Sequence, residues 1–520
     1  MFEAAELGRK ISKKAFGEIE PQLHTRLLEV QQRLRESNTS VIIIVSGVEG
    51  AGKGEVVNRL SEWLDTRGIR TSAFWDETDD QRLRPTYWRF WRALPARGTM
   101  GIMFGSWYTR PIIDRVFGNI DEGHFEQELR RIVEFERMLV NDGALIVKFW
   151  YHLPKDEVLK RVKKDQQILE MKIKKSPLMD KYSRQYDEFA SVSEQAIRIT
   201  DKGASPWHLI EATDKHYRDI TSGQVLLNAI EARLEDGHQV KTQEEEVQIT
   251  HLTDNLDANK LTILDHVDLK KTLTAKKYDS EIKKYQARLF DLAWKAHHAK
   301  KSLVAVFEGW DASGKGGAIR RVTRAIDARL YKVISVAAPT DEEKAHQYLW
   351  RFWRHVPLAG YVSLYDRSWY GRVLVERVEK FAQEHEWQRS YSEINHFEEQ
   401  LCEKDIVLVK FWIHLDEDEQ LRRFKEREKT PWKMHKITEE DWRNREKWND
   451  YKAAVNDMVA HTSTQYAPWT LVSGNDKKVA RVEILKTLCD AIEKNIDLEP
   501  QDAKDGKDAS SEKDKKGRKR

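Results

Sequence analysis

The sequence predicts an α/β protein in which a parallel sheet flanked by helices occurs twice along the chain. A glycine-rich segment follows an apolar, β-branched run at residues 47–54, and another follows a similar apolar run at residues 309–316. Each segment leads into residues with helical periodicity. Apolar strand-like runs also alternate with polar amphipathic stretches in both halves. Such alternation predicts parallel sheets, with the functional residues at the carboxyl ends of the strands.

The two glycine-rich segments match the P-loop pattern, in which backbone N–H groups and a helix N-terminus converge on an anion. The second segment reads Gly-Trp-Asp-Ala-Ser-Gly-Lys-Gly and follows the apolar run at 303–307. One match is only modestly specific, but two matches between a predicted strand and a predicted helix form a strong signal. The residues of the second copy that we expect to cradle phosphate are Gly309, Gly314, Gly316 and Gly317.

The repeat extends well beyond these loops at a constant offset. Lys53 and Lys315 are 262 residues apart (315 − 53), as are the two copies of Trp-Arg-Phe-Trp that begin at Trp88 and Trp350. A unit of this length is a duplicated domain, since solenoid repeats are much shorter. The predicted organisation is an amino-terminal P-loop domain at 1–235, a linker at 236–268, a carboxyl-terminal catalytic domain at 269–498 and a charged, disordered tail at 499–520.

Composition indicates a globular protein with a heavily charged surface. Of the 520 residues, 40% are hydrophobic and 34% are charged, yet the net charge is only +3, which argues against a dedicated nucleic-acid partner. The two cysteines, Cys402 and Cys489, cannot build a disulfide framework or a metal quartet. No signal-peptide pattern opens the chain, and no apolar run approaches the roughly 20 residues of a membrane span. We therefore expect a cytoplasmic protein with no membrane partner.

The second glycine-rich loop predicts a metal-dependent phosphate site. Gly316 stands where a P-loop usually has a Ser or Thr hydroxyl that binds Mg²⁺, so other oxygens must hold the metal. Asp311 lies inside the loop, and Asp366 follows a strand-like run, which is the usual position of a second Mg²⁺ anchor. Hard carboxylate oxygens suit Mg²⁺, with Mn²⁺ as an alternative.

Cationic residues accompany these acids. Arg367 and Arg372 follow Asp366 closely, and guanidinium groups suit phosphoryl oxygens and developing transition-state charge. Glu376 is open to two interpretations, a metal or nucleotide contact and a structural salt bridge. The predicted catalytic set is Asp311, Lys315, Asp366, Arg367 and Arg372.

The first half has lost part of this set. At the constant offset, Phe104 stands opposite Asp366 and Gly105 stands opposite Arg367, while Glu49 replaces Asp311. A phosphate cradle without the strand-end acid lacks a metal anchor. We therefore predict that the first half is catalytically weak or silent. The residues of this degenerate phosphate site are Gly47, Glu49, Gly52, Lys53 and Gly54.

Five short motifs of the second half form a distinctive set, namely Glu308–Gly317, Tyr365–Arg372 with Val375-Glu376, Lys410–Trp412 with His414, Trp432-Lys433, and Ala467–Trp469. With these motifs the chain resembles the polyphosphate kinase 2 family in its fused two-domain form. The resemblance covers about residues 11–235 and 269–497 and is most specific in the second half. Gly371 stands where the family often has Asn, which we interpret as a tolerated change.

The resemblance implies transfer of a phosphoryl group from inorganic polyphosphate to a nucleotide, typically AMP, which gives ADP. It also implies three-layer α/β/α domains similar to thymidylate kinases, each with a helical lid. The family's Asp, Lys, Asp and Arg positions fall on Asp311, Lys315, Asp366 and Arg367. The lid would correspond to about residues 422–442. Its cations expected to bind phosphate or nucleotide are Arg423, Arg427 and Lys433.

Two other functions stay open at this point. An NTP-dependent nucleotide kinase would also use a P-loop, although Gly316 and the lid cations argue against it. A non-catalytic polyanion-binding protein would need only the loops, and the complete acid, lysine and arginine set argues against that. The sequence leaves open whether GMP or ADP is an acceptor, which direction dominates, and whether the chain forms a homo-oligomer.

Overall fold

The computed structural model describes residues 1–74, 76–161, 184–235, 262–431 and 437–495. The predicted tail and most of the predicted linker lie outside the described residues. The segment Pro339–Arg354, which carries the second Trp-Arg-Phe-Trp, clusters with the first of two compact units. That unit comprises Met1–Arg82, Thr86–Val247 and Pro339–Arg354, and the second comprises Leu83–Pro85, Gln248–Ala338 and His355–Arg520.

The first unit contains a five-stranded sheet in the order β2-β3-β1-β4-β5, and all of its strand pairs are parallel. Its strands are β1 Val41–Gly47, β2 Ile69–Ala73, β3 Met100–Phe104, β4 Leu145–His152 and β5 Trp207–Glu211. Its longer helices are α1 Lys13–Arg35, α2 Lys53–Trp63, α3 Thr109–Val116, α4 Glu122–Asn141, α5 Tyr186–Thr200 and α6 Lys215–Glu235.

The second unit repeats this topology, with a parallel sheet in the order β7-β8-β6-β9-β10. Its strands are β6 Ser302–Gly309, β7 Tyr331–Ser335, β8 Val362–Asp366, β9 Ile406–His414 and β10 Trp469–Ser473. Its longer helices are α7 Ala275–His298, α8 Lys315–Thr323, α9 Glu384–Glu403, α10 Glu417–Glu428, α11 Glu439–Glu446, α12 Trp448–Thr462 and α13 Lys477–Asn495. The predicted α/β fold with duplicated parallel sheets is confirmed.

The central strands are buried on both faces, as a parallel sheet between helices requires. All nine residues of β9 are buried, and β6 is buried up to its last residue. On one face of the second sheet, Leu289 and Leu292 of α7 and Ile484 and Leu488 of α13 form part of the core. The P-loop strand lies in the middle of the sheet, so its carboxyl end is surrounded by neighbouring strand ends. Among the described residues, no helix has the length and apolarity to span a membrane.

A buried ion pair joins the segment after β8 to the sheet. Lys410 on β9 donates to Glu398 at 2.7 Å, to the Tyr370 hydroxyl at 2.9 Å and to the Thr462 carbonyl at 2.7 Å. Tyr370 also donates to Glu398 at 2.7 Å. Lys410 and Glu398 are fully buried, and burial lowers the pKa of Lys410 while Glu398 opposes that shift. The network therefore holds the chain that directly follows Asp366.

The substitution Lys410→Met is expected to lower the free energy of unfolding by about 3–5 kcal/mol, because it leaves the Glu398 carboxylate buried without its ion-pair partner. Chemical denaturation followed by tryptophan fluorescence measures the change. The exposed Lys425 on α10 provides a control, since Lys425→Met should change stability by no more than about 0.5 kcal/mol. Equal effects of the two substitutions would show that the buried pair does not stabilise the unit.

Candidate active site

The second glycine-rich loop connects β6 to α8 in the way the sequence predicts. Gly309 has a φ of 148°, and a Cβ atom there would lie 2.6 Å from the Ile413 carbonyl oxygen, so no side chain fits. Gly314 precedes α8 with a left-handed φ of 107°. Both glycines therefore allow the turn that aims the loop N–H groups and the helix N-terminus at one point, which is the arrangement that binds phosphate.

Lys315 lies at the centre of the cluster of charged groups. Its Nζ donates to the carbonyl oxygens of Gly309 at 2.6 Å and Trp310 at 3.1 Å. Burial lowers the pKa of Lys315, the charge of Asp311 opposes this shift, and the Arg367 charge adds to it. Asp366 and Glu308 also raise its pKa through their charges. The structure thus brings together Lys315, Asp311, Asp366 and Arg367, as the sequence predicts.

The Asp311 carboxylate is nearly buried, at 13% exposure, and both of its oxygens accept hydrogen bonds. Arg367 donates to Oδ1 at 3.0 Å, and the Asn444 amide on α11 donates to Oδ2 at 2.9 Å. The sequence interpretation gave Asn444 no role. A carboxylate held in this way is fixed in direction at the mouth of the loop.

Asp366 ends β8 directly beside the loop. It pairs in register with Phe307 on β6, two residues before Gly309. A side chain at Gly316 would place its Cβ 3.9 Å from an Asp366 carboxylate oxygen, so the acid faces the start of α8. Two hard carboxylates around a phosphate cradle fit Mg²⁺, which keeps several waters and takes substrate phosphate oxygens as further ligands. The residues present therefore suit a metal of this type.

Arg367 adopts a left-handed backbone with a φ of 64°, which is uncommon for a residue with a side chain. Its backbone N–H donates to the Phe307 carbonyl oxygen at 3.1 Å, which joins it to the P-loop strand. The guanidinium is 42% exposed and also lies 3.9 Å from Glu440 of α11. Gly105, its counterpart in the first unit, has a φ of 72°, so the first unit keeps the turn without the cation.

The remaining predicted cations differ in their positions. Arg372 forms an ion pair with Glu376 at 3.1 Å, which favours the structural interpretation of Glu376. Arg427 lies near the end of α10 and is partly exposed, whereas Lys433 lies outside the described residues. Binding of substrate by Arg427 and Lys433 stays a prediction.

Arg423 lies behind the loop instead of facing the phosphate site. Its buried guanidinium donates to the backbone carbonyls of Ala312, Ser313 and Gly474 at 2.6–3.0 Å, and its Nε donates to Glu419. Arg161, its counterpart, contacts carbonyls of the first unit in the same manner, among them Gly50. Both copies of this arginine therefore support their loops. We assign Arg423 to loop support, because binding phosphate would require its guanidinium to leave these carbonyl acceptors.

Sequence reasoning also gave no role to Glu308, which lies under the loop. Its carboxylate is buried and accepts a hydrogen bond from the Ser368 hydroxyl at 2.8 Å. Burial raises the pKa of Glu308, and Lys315 opposes this shift. One feature of the sequence could have drawn attention to Glu308, because it is an acid at the end of an apolar strand. The first unit has Ser46 at the equivalent position.

In the first-unit loop, the lysine forms hydrogen bonds and an ion pair with groups of the same loop. Lys53 donates to the carbonyls of Gly47 at 2.9 Å and Val48 at 3.0 Å, and it also pairs with Glu49 at 3.1 Å. Asp311, the counterpart of Glu49, is instead held by Arg367 and Asn444. Gly52 and Gly54 keep their predicted places at the start of α2. The buried Arg218 donates to the loop carbonyl of Ala51 and to Glu55 on α2. In the second unit, Ala480 stands in the place of Arg218 and Gly317 in the place of Glu55.

The buried His414 at the end of β9 accepts a hydrogen bond at Nδ1 from the Trp310 indole N–H at 3.1 Å. Burial, together with the charge of Lys452, lowers the pKa of His414 to about 4. Between pH 6.5 and 4, His414 is therefore protonated in the unfolded chain but neutral in the folded chain, so the free energy of unfolding falls as the pH falls.

The expected loss at pH 4 relative to pH 7 is about 3 kcal/mol from this residue. A His414→Asn variant keeps an acceptor for Trp310 without a titrating group. Denaturation of both proteins across this pH range should therefore give a steeper acid slope for the histidine protein. Parallel profiles would show that His414 titrates normally in the folded state.

Comparisons with known proteins match both halves of the chain. A family model described as Polyphosphate kinase 2 (PPK2) matches residues 10–238 and again residues 272–499. The chain is 47% identical over 494 residues to a protein of Pseudomonas aeruginosa named Polyphosphate:AMP phosphotransferase, covering 95% of this chain and 99% of that protein. A protein of the same name from Acinetobacter johnsonii is 37% identical over 489 residues, covering 92% and 98%.

The structure is also similar to a solved one. A crystal structure assigned to polyphosphate kinase 2 of Pseudomonas aeruginosa PA01 superposes with a TM-score of 0.85 at 46% sequence identity. The match covers 95% of this chain and 99% of that chain. The similarity therefore extends over both units.

Proposed function

The chain belongs to the polyphosphate kinase 2 family, and from this premise we propose that it transfers the terminal phosphoryl group of inorganic polyphosphate to AMP, with ADP as the product. The observation that carries the proposal is the convergence of Asp311, Lys315, Asp366 and Arg367 at the second P-loop. These groups match the needs of phosphoryl transfer, in which positioning and charge neutralisation supply the rate.

We assign the roles as follows. Lys315 and the loop N–H groups hold the phosphates nearest the reacting bond. Arg367 is anchored to Asp311 and partly exposed, which supports a contact with both donor and acceptor phosphates. Asp311 and Asp366 would hold Mg²⁺ or Mn²⁺, and the ion would supply charge neutralisation to the phosphate groups. The AMP phosphate is already ionised at neutral pH, so in-line attack needs no strong general base.

We further propose that the first unit is catalytically weak or silent. Phe104 and Gly105 replace the strand-end acid and the arginine, and Lys53 is paired with Glu49 within its own loop. The unit keeps the fold and the cradle, but it has no carboxylate at the end of β3 to hold a metal. A cytoplasmic location stays a prediction.

Comparison of phosphoryl donors tests the activity. The full chain is incubated with labelled AMP, Mg²⁺ and either long-chain polyphosphate or ATP, and labelled ADP is measured by chromatography. We expect labelled ADP with polyphosphate and far less with ATP. Production with ATP alone would favour an NTP-dependent kinase, and absence of product with either donor would favour a polyanion-binding protein.

A further inference from the structure

Helix α11 places an uncharged side chain against the proposed metal carboxylate. The Asn444 amide nitrogen donates to Asp311 Oδ2 at 2.9 Å. Asn444 is the only residue of α11 that donates to this carboxylate in the part of the chain that the structure describes. Because an ionised carboxylate can only accept, the amide has to present its NH₂ group to Asp311 in this state. A cation bound at Oδ2 would meet that NH₂ group, which repels a cation.

The other end of the amide is held by a group that can serve either orientation. Tyr451 on α12 donates from its hydroxyl to Asn444 Oδ1 at 3.1 Å, and Tyr451 is buried. A phenolic hydroxyl can donate or accept a hydrogen bond. If the amide turned over, its NH₂ group would donate to Tyr451, and its carbonyl oxygen would face Asp311. Both orientations of Asn444 therefore keep a hydrogen bond to Tyr451.

The surrounding contacts hold this part of the unit against the loop. Trp448, at the start of α12, stacks on Trp310 of the loop with ring centroids 3.7 Å apart and planes 9° apart. Arg443 and Lys447 both contact the buried Glu379 carboxylate, at 3.2 and 3.0 Å. These contacts hold the segment that carries Asn444 beside Asp311.

We propose that Asn444 is a positioning residue for the divalent cation, acting as a two-state amide. Its NH₂ group donates a hydrogen bond to Asp311 Oδ2 when no metal is bound, and its carbonyl oxygen faces the cation or a cation-bound water when metal is present. Tyr451 keeps a hydrogen bond to the amide in both states. This inference rests on the proposed function, which assigns the metal to Asp311. In the first unit Phe189 stands in the place of Tyr451 and lacks the hydroxyl.

Direct binding of Mn²⁺ tests the inference without turnover. The full-length protein is titrated with Mn²⁺ in the absence of nucleotide and polyphosphate, and free Mn²⁺ is measured by electron paramagnetic resonance. Asn444→Leu should raise the Kd by about tenfold or more, as losses of outer-shell partners do. Asn444→Asp, which supplies oxygen in either orientation, should bind Mn²⁺ at least as tightly as the native protein. Tyr451→Phe should weaken binding less than Asn444→Leu does.

Two controls separate the inference from the function on which it rests. Asp311→Asn should abolish the binding that Asn444→Leu weakens. If Asp311→Asn binds Mn²⁺ like the native protein, the metal assignment in the proposed function is wrong. If Asp311→Asn loses binding and Asn444→Leu keeps it within twofold, only the role of Asn444 is wrong. Thermal unfolding identifies variants that misfold. If Asn444→Leu misfolds, the other two variants test the role of Asn444: Mn²⁺ binding weaker than native in Asn444→Asp, or lost in Tyr451→Phe, would contradict it.

Discussion

Replacement of Lys315 with alanine is expected to lower kcat for AMP phosphorylation by about 10²–10³-fold, the cost of removing one preorganised group that stabilises transition-state charge. The half-buried ammonium lies among Asp311, Asp366 and Arg367 at the P-loop. Its removal takes away a positive charge that should stabilise the phosphoryl group during transfer. The fold should persist, because the hydrogen bonds that Lys315 donates to described residues go to two carbonyls of its own loop.

The first unit provides a matched control for this substitution. Lys53 occupies the same place in its loop and donates to the equivalent carbonyls. Lys53→Ala should leave kcat within about twofold of the native value, since a substitution outside the chemistry removes no transition-state interaction. Steady-state kinetics with saturating polyphosphate measures both variants. A large loss in Lys53→Ala with little loss in Lys315→Ala would place catalysis in the first unit.

Replacement of Asp366 with asparagine is expected to lower kcat by a similar factor of about 10²–10³, because a neutral amide binds a divalent cation weakly. The substitution keeps the size of the side chain at the end of β8. The residual activity should also need more Mg²⁺ for half-maximal rate than the native protein does. Metal titrations of the initial rate measure both effects.

Asp418, an exposed acid in the first turn of α10, is the control for the lost charge. Asp418→Asn should leave kcat and the Mg²⁺ requirement unchanged. Full turnover by Asp366→Asn would contradict the metal assignment, and with it the proposal that Phe104 leaves the first unit catalytically weak or silent.

The strands, the P-loops and the duplication could be predicted because their signals are local. The β-branched runs before each loop became the central strands β1 and β6, and the constant offset carried the same strand order into both units. Gly309 could be placed from the P-loop pattern alone, although the physical reason for glycine there, the Ile413 backbone of β9 close beside it, shows only in the structure. The strands and the loops follow from residues that are close along the chain, and the duplication follows from the constant offset.

The side-chain partners in the site could not be predicted in the same way. Arg423 stands in a polar helix pattern typical of a solvated lid, yet its buried guanidinium donates to carbonyls of the loop and of Gly474, the residue that follows β10. The contact from Asn444 to Asp311 joins residues 133 positions apart, and no periodicity reports such a pairing. The left-handed backbone of Arg367 had one indirect signal, because Gly105 occupies the equivalent position in the first unit.

The most direct test of the central claim is anomalous scattering from a crystal of the full chain grown with Mn²⁺ and polyphosphate. The account predicts a Mn²⁺ peak ligated by Asp311 and Asp366 and bridged to phosphates that lie on the Lys315 loop. A peak at Glu49 in the first unit, or polyphosphate bound with Asp311 and Asp366 unligated, would contradict it.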